Sequence, residues 1–111
     1  MIYEKAIIHS DYERGKLRVS VSGDIDHHSA RSLREAIDRT LFLYRPAQFE
    51  LHLGQVDFMD SSGLGLILGR RSVCDDLGAK MTLSGTSEQI RKILELAGAD
   101  SLFESDEQEQ H

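Results

Sequence analysis

Hydrophobic and polar positions along the chain change period several times, and each change marks an element. The stretches "IYEKAIIHS" (2–10) and "KLRVSVSG" (16–23) are short, β-branched and partly alternating, the pattern of half-buried strands. The polar "DYERG" between them suits a tight connection, so the two are expected to form an antiparallel hairpin. After Gly23 the period lengthens: Ala30, Leu33, Ile37 and Leu41 recur at helical spacing, with Arg31, Arg34, Glu35 and Asp38 on the other side. This predicts a helix near 27–43, capped by Asp26 or Ser29 and unable to continue past Pro46.

"FELHLG" (49–54) then reads as a buried strand, and a second helix is expected near 62–77, ended by Gly78. Its spacing places Leu64, Ile67, Leu68, Cys74 and Leu77 on the core face and leaves Leu66, Gly69, Arg70 and Val73 outward. "KMTLSG" (80–85) is the next strand. Thr86 and Gln89 have capping-box spacing, and Ile90, Ile93, Leu94 and Ala97 form an apolar stripe that stops at Gly98, which predicts a third helix near 87–97. "SLFES" adds a short last strand, and "DEQEQH" has too little apolar content to offset the entropy of ordering it. The expected organisation is one domain over 1–104 with a mobile acidic tail at 105–111.

Strands and helices alternating in this way define an α/β fold, a mixed sheet of four to five strands with parallel central strands and three or more helices. In such a sheet every strand-to-helix loop opens at the carboxyl end of its strand. "GDIDHHS", "DFMDSSG" and "SGTSE" therefore share one polar edge.

Composition narrows what that edge serves. With 111 residues and 40% hydrophobic content the chain fits one core, and the formal charge of −6, from 13 basic and 19 acidic residues, disfavours nucleic acid and anionic membrane as partners. The lone Cys74 has no partner for an internal disulfide, the start "MIYEKAIIHS" contains Glu4 and no long apolar segment, and no apolar run approaches the roughly 20 residues a bilayer needs. A cytoplasmic monomer that meets another protein is the expectation.

The chemistry concentrates in "VDFMDSSGLGLILGR" (56–70), where Ser61 and Ser62 follow Asp60 at the start of the second helix. Unpaired backbone N–H groups and the helix dipole accept negative charge at that end, so a phosphate on Ser61 leaves the helix intact. Gly63, Gly65 and Gly69 each cost roughly 1 kcal/mol of helix propensity, which is offset if another surface approaches closely. Capping alone would also explain the serines. "DSSGLG" is neither a G-x-S-x-G nucleophile elbow nor a phosphate-cradling P-loop, so no enzyme and no cofactor is expected. Asp24, Asp26, His27 and His28 crowd together, but without a third group at ligand spacing they are read as solvated helix-start residues, and no metal is expected.

"FMDSSGLGLILGR" together with "GDIDHHSA" resembles the anti-sigma factor antagonists of the STAS family, most closely the sporulation type that acts in the forespore sigma factor pathway. The resemblance covers about Tyr3 to Phe103. It implies that Ser61 is phosphorylated by an ATP-dependent serine kinase that is also the anti-sigma factor. It further implies that the unphosphorylated form binds that factor and frees the sigma factor, and that a metal-dependent serine phosphatase regenerates it. Asp60 and Ser62 match the flanking positions and Asp26 the acidic residue of the neighbouring loop; with Gly63, Gly65, Leu66, Gly69 and Arg70 they make up the expected partner surface. Similar proteins continue into a further amphipathic helix, for which "ESDEQEQH" supplies no apolar face. The alternative is a non-switching STAS module, a ligand sensor or scaffold component in which Ser61 serves only the helix start.

Overall fold

A computed structural model describes residues 6–103 in the order β1 (Ile7–Glu13), β2 (Lys16–Ser22), α1 (Ala30–Tyr44), β3 (Gln48–Gln55), α2 (Ser61–Leu77), β4 (Lys80–Ser84) and α3 (Glu88–Leu96), with a 3-10 turn at Asp100–Leu102. The expected acidic tail at 105–111 lies outside the described residues, as do positions 2–5 of the first strand.

The sheet has the order β1-β2-β3-β4, with β1 antiparallel to β2 and the β2–β3 and β3–β4 pairs parallel. Arg14 and Gly15 turn the hairpin with φ of 53° and 82°, the left-handed pair of a type I′ turn, between the paired residues Glu13 and Lys16. The first strand runs further than its apolar pattern indicated, to Glu13 rather than Ser10. It is an edge strand largely open to solvent, and backbone pairing of Asp11 with Arg18 and Tyr12 with Leu17 holds it whatever its side chains.

Alternation decides which face of the sheet is covered. Leu17, Val19 and Val21 on β2 and Phe49, Leu51 and Leu53 on β3 are buried, whereas Lys16 and Arg18 on the opposite face are exposed. Right-handed crossovers through α1 and α2 place both helices over the apolar face. The strand read as buried, β3, packs its apolar residues on the covered face and carries Glu50 and His52 on the other. Leu33, Ile37 and Leu41 seat α1, Ile90 and Leu94 seat α3, and Arg45 with a φ of 44° turns the chain out of α1 just before Pro46. Ser87, rather than Thr86, caps α3 by accepting a bond from the Ile90 N–H at 3.2 Å. Among the described residues the last expected strand is reduced to a single bridge between Leu83 and Phe103.

The outward face assigned to α2 needs correction. Its buried positions are Gly63, Leu66, Ile67, Arg70 and Cys74, while Leu68 is 38% exposed. Leu66 and Arg70, expected to face a partner, are each only 5% exposed. The helix rests on the sheet along one side and against α1 along another, so it buries a wider stripe than a sheet alone would require.

Candidate functional site

The loop after β2 and the loop after β3 are joined backbone to backbone. Ile25 donates to the Phe58 carbonyl at 2.9 Å and accepts from the Asp60 N–H at 3.1 Å, and Gly23 donates to the Gln55 carbonyl at 3.2 Å. Ile25 and Met59 form a parallel bridge, both buried. "GDIDHHS" and "DFMDSSG" therefore open along one edge, as parallel topology requires, and the start of α2 rests on the start of α1.

Gly63 explains why that junction closes. A Cβ there would overlap Met59 Cγ and stand 2.7 Å from Met59 Sδ and 3.1 Å from Ile25 Cγ2. The close approach inferred for the glycines is thus internal at Gly63. At Gly65 and Gly69 an added Cβ would meet nothing within 4 Å, so these two leave α2 bare toward the outside.

Asp60 is the N-cap of α2, its Oδ1 accepting from the Ser62 N–H at 2.7 Å. Ser61 is the first helical residue and is exposed, and its hydroxyl makes no hydrogen bond among the described residues; Ser62 is half-buried. Among the described residues no imidazole or carboxylate is bonded to the Ser61 hydroxyl. Asp26 Oδ1 accepts from the His28 and Ser29 N–H groups at 2.9 Å each, and Ser29 Oγ bonds back to the Asp26 N–H and the Asp24 carbonyl. The bond from Ser29 is the main cause holding the Asp26 carboxyl below its ordinary pKa, aided by His28 against a smaller opposing effect of desolvation. The carboxylate is accordingly charged near neutral pH. Of the two residues considered for the α1 cap, Ser29 holds the N-cap position but its side chain makes no cap bond, whereas the Asp26 carboxylate accepts the His28 and Ser29 N–H groups and its carbonyl the Ala30 N–H at 2.9 Å, so helical bonding begins before the regular helix does.

Two features escaped the sequence reading. Arg70 Nε lies 2.8 Å from Asp38 Oδ1, an ion pair across the α1–α2 contact whose alignment is not that of a hydrogen bond. On the open sheet face Glu50, 8% exposed, accepts from the Ser84 hydroxyl and faces Lys16 Nζ at 3.2 Å and Arg18 Nε at 3.5 Å, and His52 Nδ1 is 2.9 Å from Ser84 Oγ. The period of two in "FELHLG" carried the signal for Glu50 and His52 sharing a face; Ser84 enters only through strand register, opposite His52. Among the described residues no group of three or more His, Cys, Asp or Glu is placed to hold a metal ion, and no helix is long and apolar enough to cross a membrane.

A four-stranded mixed sheet, helices returned across one face and a serine-headed helix at the shared loop edge define the class, and the STAS domain model matches residues 9–110. The chain belongs to the STAS domain family and is homologous to its anti-sigma factor antagonists. It is 33% identical over 91 residues to the anti-sigma F factor antagonist of Paenibacillus polymyxa, covering 82% of this chain and 78% of that one. It is 27% identical over 88 residues to the anti-sigma-B factor antagonist of Bacillus subtilis, covering 79% of each. Among solved structures, the anti-sigma factor antagonist SpoIIAA in its unphosphorylated form superposes with a TM-score of 0.77 at 24% identity, covering 88% of this chain and 86% of that one.

Proposed function

We propose that this chain is an anti-sigma factor antagonist switched by phosphorylation of Ser61. Unphosphorylated, it binds an anti-sigma factor that is also a serine kinase, and the sigma factor held by that protein is released. Transfer of the γ-phosphoryl group of ATP to the Ser61 hydroxyl, with loss of the hydroxyl proton and release of ADP, ends the binding. Hydrolysis by a serine phosphatase restores it. The observation that carries this reading is the exposed, unbonded Ser61 hydroxyl at the head of α2 in a chain homologous to antagonists.

Burial divides the roles of the surrounding residues. Asp26, Asp60, Ser62, Gly65 and Gly69 are accessible to a partner, joined by exposed Leu68; Gly63, Leu66 and Arg70 act from beneath by fixing α2 on the sheet and on α1. A phosphate adds about 1.5 to 2 negative charges at the helix start, where the dipole tolerates it, so it acts on the partner and leaves the fold nearly unchanged.

Incubation with the cognate kinase and ATP, followed by intact and fragment mass spectrometry, tests the reading. One phosphate on Ser61 is expected, and Ser61→Ala is expected to resist modification while keeping its affinity in the presence of ATP. Phosphate on Ser62, or equal affinity of the parent and its phosphorylated form, overturns the switch. Absence of both phosphorylation and binding points instead to the non-switching module.

A further inference from the structure

The helices α1 and α2 enclose a groove of about 410 Å³ at the serine end of the molecule, lined chiefly by His27, Arg31, Arg34, Ser62, Gly65 and Arg70. Its charge runs against that of the chain, which carries −6 overall. Of the nearby carboxylates, Asp38 is taken by Arg70 at 2.8 Å, and Glu35 stands 3.6 Å from Arg31 on the exposed side of α1. Arg34 has no ion-pair partner among the described residues.

Arg70 gives the groove an unmet requirement. It is 5% exposed, and its Nη1 is buried without a hydrogen-bond partner among the described residues. That N–H has almost no exposed surface, so the guanidinium groups open to an arriving acceptor are those of the exposed Arg34 and Arg31 beside it. Burial lowers the Arg70 pKa, Asp38 raises it and Arg34 lowers it again, leaving it below its ordinary value. The site is short of negative charge.

We infer that this groove seats a carboxylate side chain of the anti-sigma factor, paired with Arg34 and Arg31 beside the Arg70–Asp38 bridge. The inference rests on the function proposed above and names the chemistry its partner must present. The planar fork of a guanidinium accepts a carboxylate or a phosphate, and the carboxylate is the anion an unmodified protein partner presents to a space walled by Ser62 and Gly65. Nucleic acid and other polyanions meet repulsion from a chain of net charge −6, whereas one acidic side chain on a docked protein feels mainly the local arginines.

The test is a calorimetric titration of the cognate anti-sigma factor, with a non-hydrolysable ATP analogue, against the parent chain, Arg34→Glu, and the double variant with Arg31→Glu. Both arginines are exposed, and thermal melts of the variants verify folding. Arg34→Glu is expected to weaken binding about tenfold and the double variant further, with a flatter salt dependence than the parent. A Lys substituted for the responsible partner carboxylate should restore affinity toward Arg34→Glu. Variants that bind within about twofold of the parent would overturn the inference while leaving the proposed function standing. A parent that does not bind at all overturns both. Two other occupants are checked in the free chain: saturable arginine shifts with inorganic phosphate, observed by NMR, reassign the groove to a free anion, and self-association abolished by Arg34→Glu reassigns it to a second copy.

Discussion

The three glycines of α2 give a prediction whose sign changes along one helix. Replacing glycine by alanine in a helix interior is worth about 1 kcal/mol of added stability when nothing opposes the methyl group. At Gly65 and Gly69 nothing does, since an added Cβ meets no atom within 4 Å. Each substitution should raise the free energy of unfolding by about 0.5–1 kcal/mol, or several degrees of melting temperature for a domain of this size. At Gly63 the methyl would stand 2.7 Å from Met59 Sδ and 3.1 Å from Ile25 Cγ2, well inside ordinary carbon contact. Met59 is flexible but 5% exposed, and Ile25 is fully buried behind it, so the side chain has little space to yield. Overpacking of this kind costs about 1–3 kcal/mol, which leaves Gly63→Ala a net loss of about 0–2 kcal/mol after the propensity gain. Urea titration and thermal melts of the three variants measure the split. If Gly63→Ala proves as stabilising as Gly65→Ala, the closure of α2 onto the Ile25–Met59 bridge is not what requires glycine there. In partner titrations Gly65→Ala should also weaken binding, by roughly tenfold if the bare face is in close contact, although it stabilises the free chain. Unchanged affinity would remove Gly65 from the interface.

Other substitutions probe single contacts. Asp60→Ala should cost about 0.5–2 kcal/mol through loss of the bond to the Ser62 N–H, while Asp60→Asn should retain most of it; equal stability of the two in urea would refute the cap. Burial, and secondarily Asp75, push the Cys74 thiol up to about 11, so it should resist thiol reagents in the folded protein near neutral pH and react once urea unfolds it. Rapid stoichiometric modification of the native chain would contradict that. Burial raises the Glu50 pKa, but the Ser84 bond and the Lys16 and Arg18 charges outweigh it and hold the carboxyl below its ordinary value. A depressed carboxyl pKa contributes stability above the unfolded value and loses it as pH falls through the folded one, so the parent should lose more stability on acidification than Glu50→Gln. Parallel urea midpoints for the two down to about pH 3 would show that the network contributes nothing to acid sensitivity.

Element order was legible because most elements bury one regular stripe. Leu17, Val19 and Val21 announce a strand, and Ile90 and Leu94 a helix, whatever surrounds them. Where two surfaces act on one element the pattern blurs. The buried stripe of α2 runs through a glycine and an arginine as well as Leu66, Ile67 and Cys74, and Arg70 is buried where Asp38 on α1 meets it. Hydropathy alone sends such a residue outward, which is how Leu68 and Arg70 exchanged places. The edge strand failed for the opposite reason: "DYE" belongs to β1 through backbone pairing, which leaves no mark in side-chain polarity. Glycine, in turn, was readable as a sign of close approach but not of what approached. Of the site, the loop edge and the place of Ser61 at the helix head followed from strand-helix alternation, while the basic groove beside them depends on how two helices lie against each other.

The groove and the serine together specify how the proposed switch operates. Asp60 already satisfies the Ser62 N–H, so a phosphate on Ser61 finds one of the helix-start donors occupied and a like charge beside it. Little of its charge is absorbed by the fold. Ser62, the next residue, lines the groove that Arg31 and Arg34 flank, so a partner carboxylate seated there would lie one residue away from the phosphorylated position. The two anions would then repel one another across the interface, and the partner would be displaced by charge as well as by bulk. Charge and bulk differ in their response to salt: screening acts over about 10 Å at 0.1 M ionic strength and about 3 Å at 1 M, whereas a steric clash is indifferent to it. The ratio of affinities between the unphosphorylated and phosphorylated forms should therefore narrow as salt is raised, and Ser61→Asp should follow the phosphorylated form at reduced amplitude. A ratio that holds constant across that range would assign the switch to bulk alone, and the arginine groove would have no part in it.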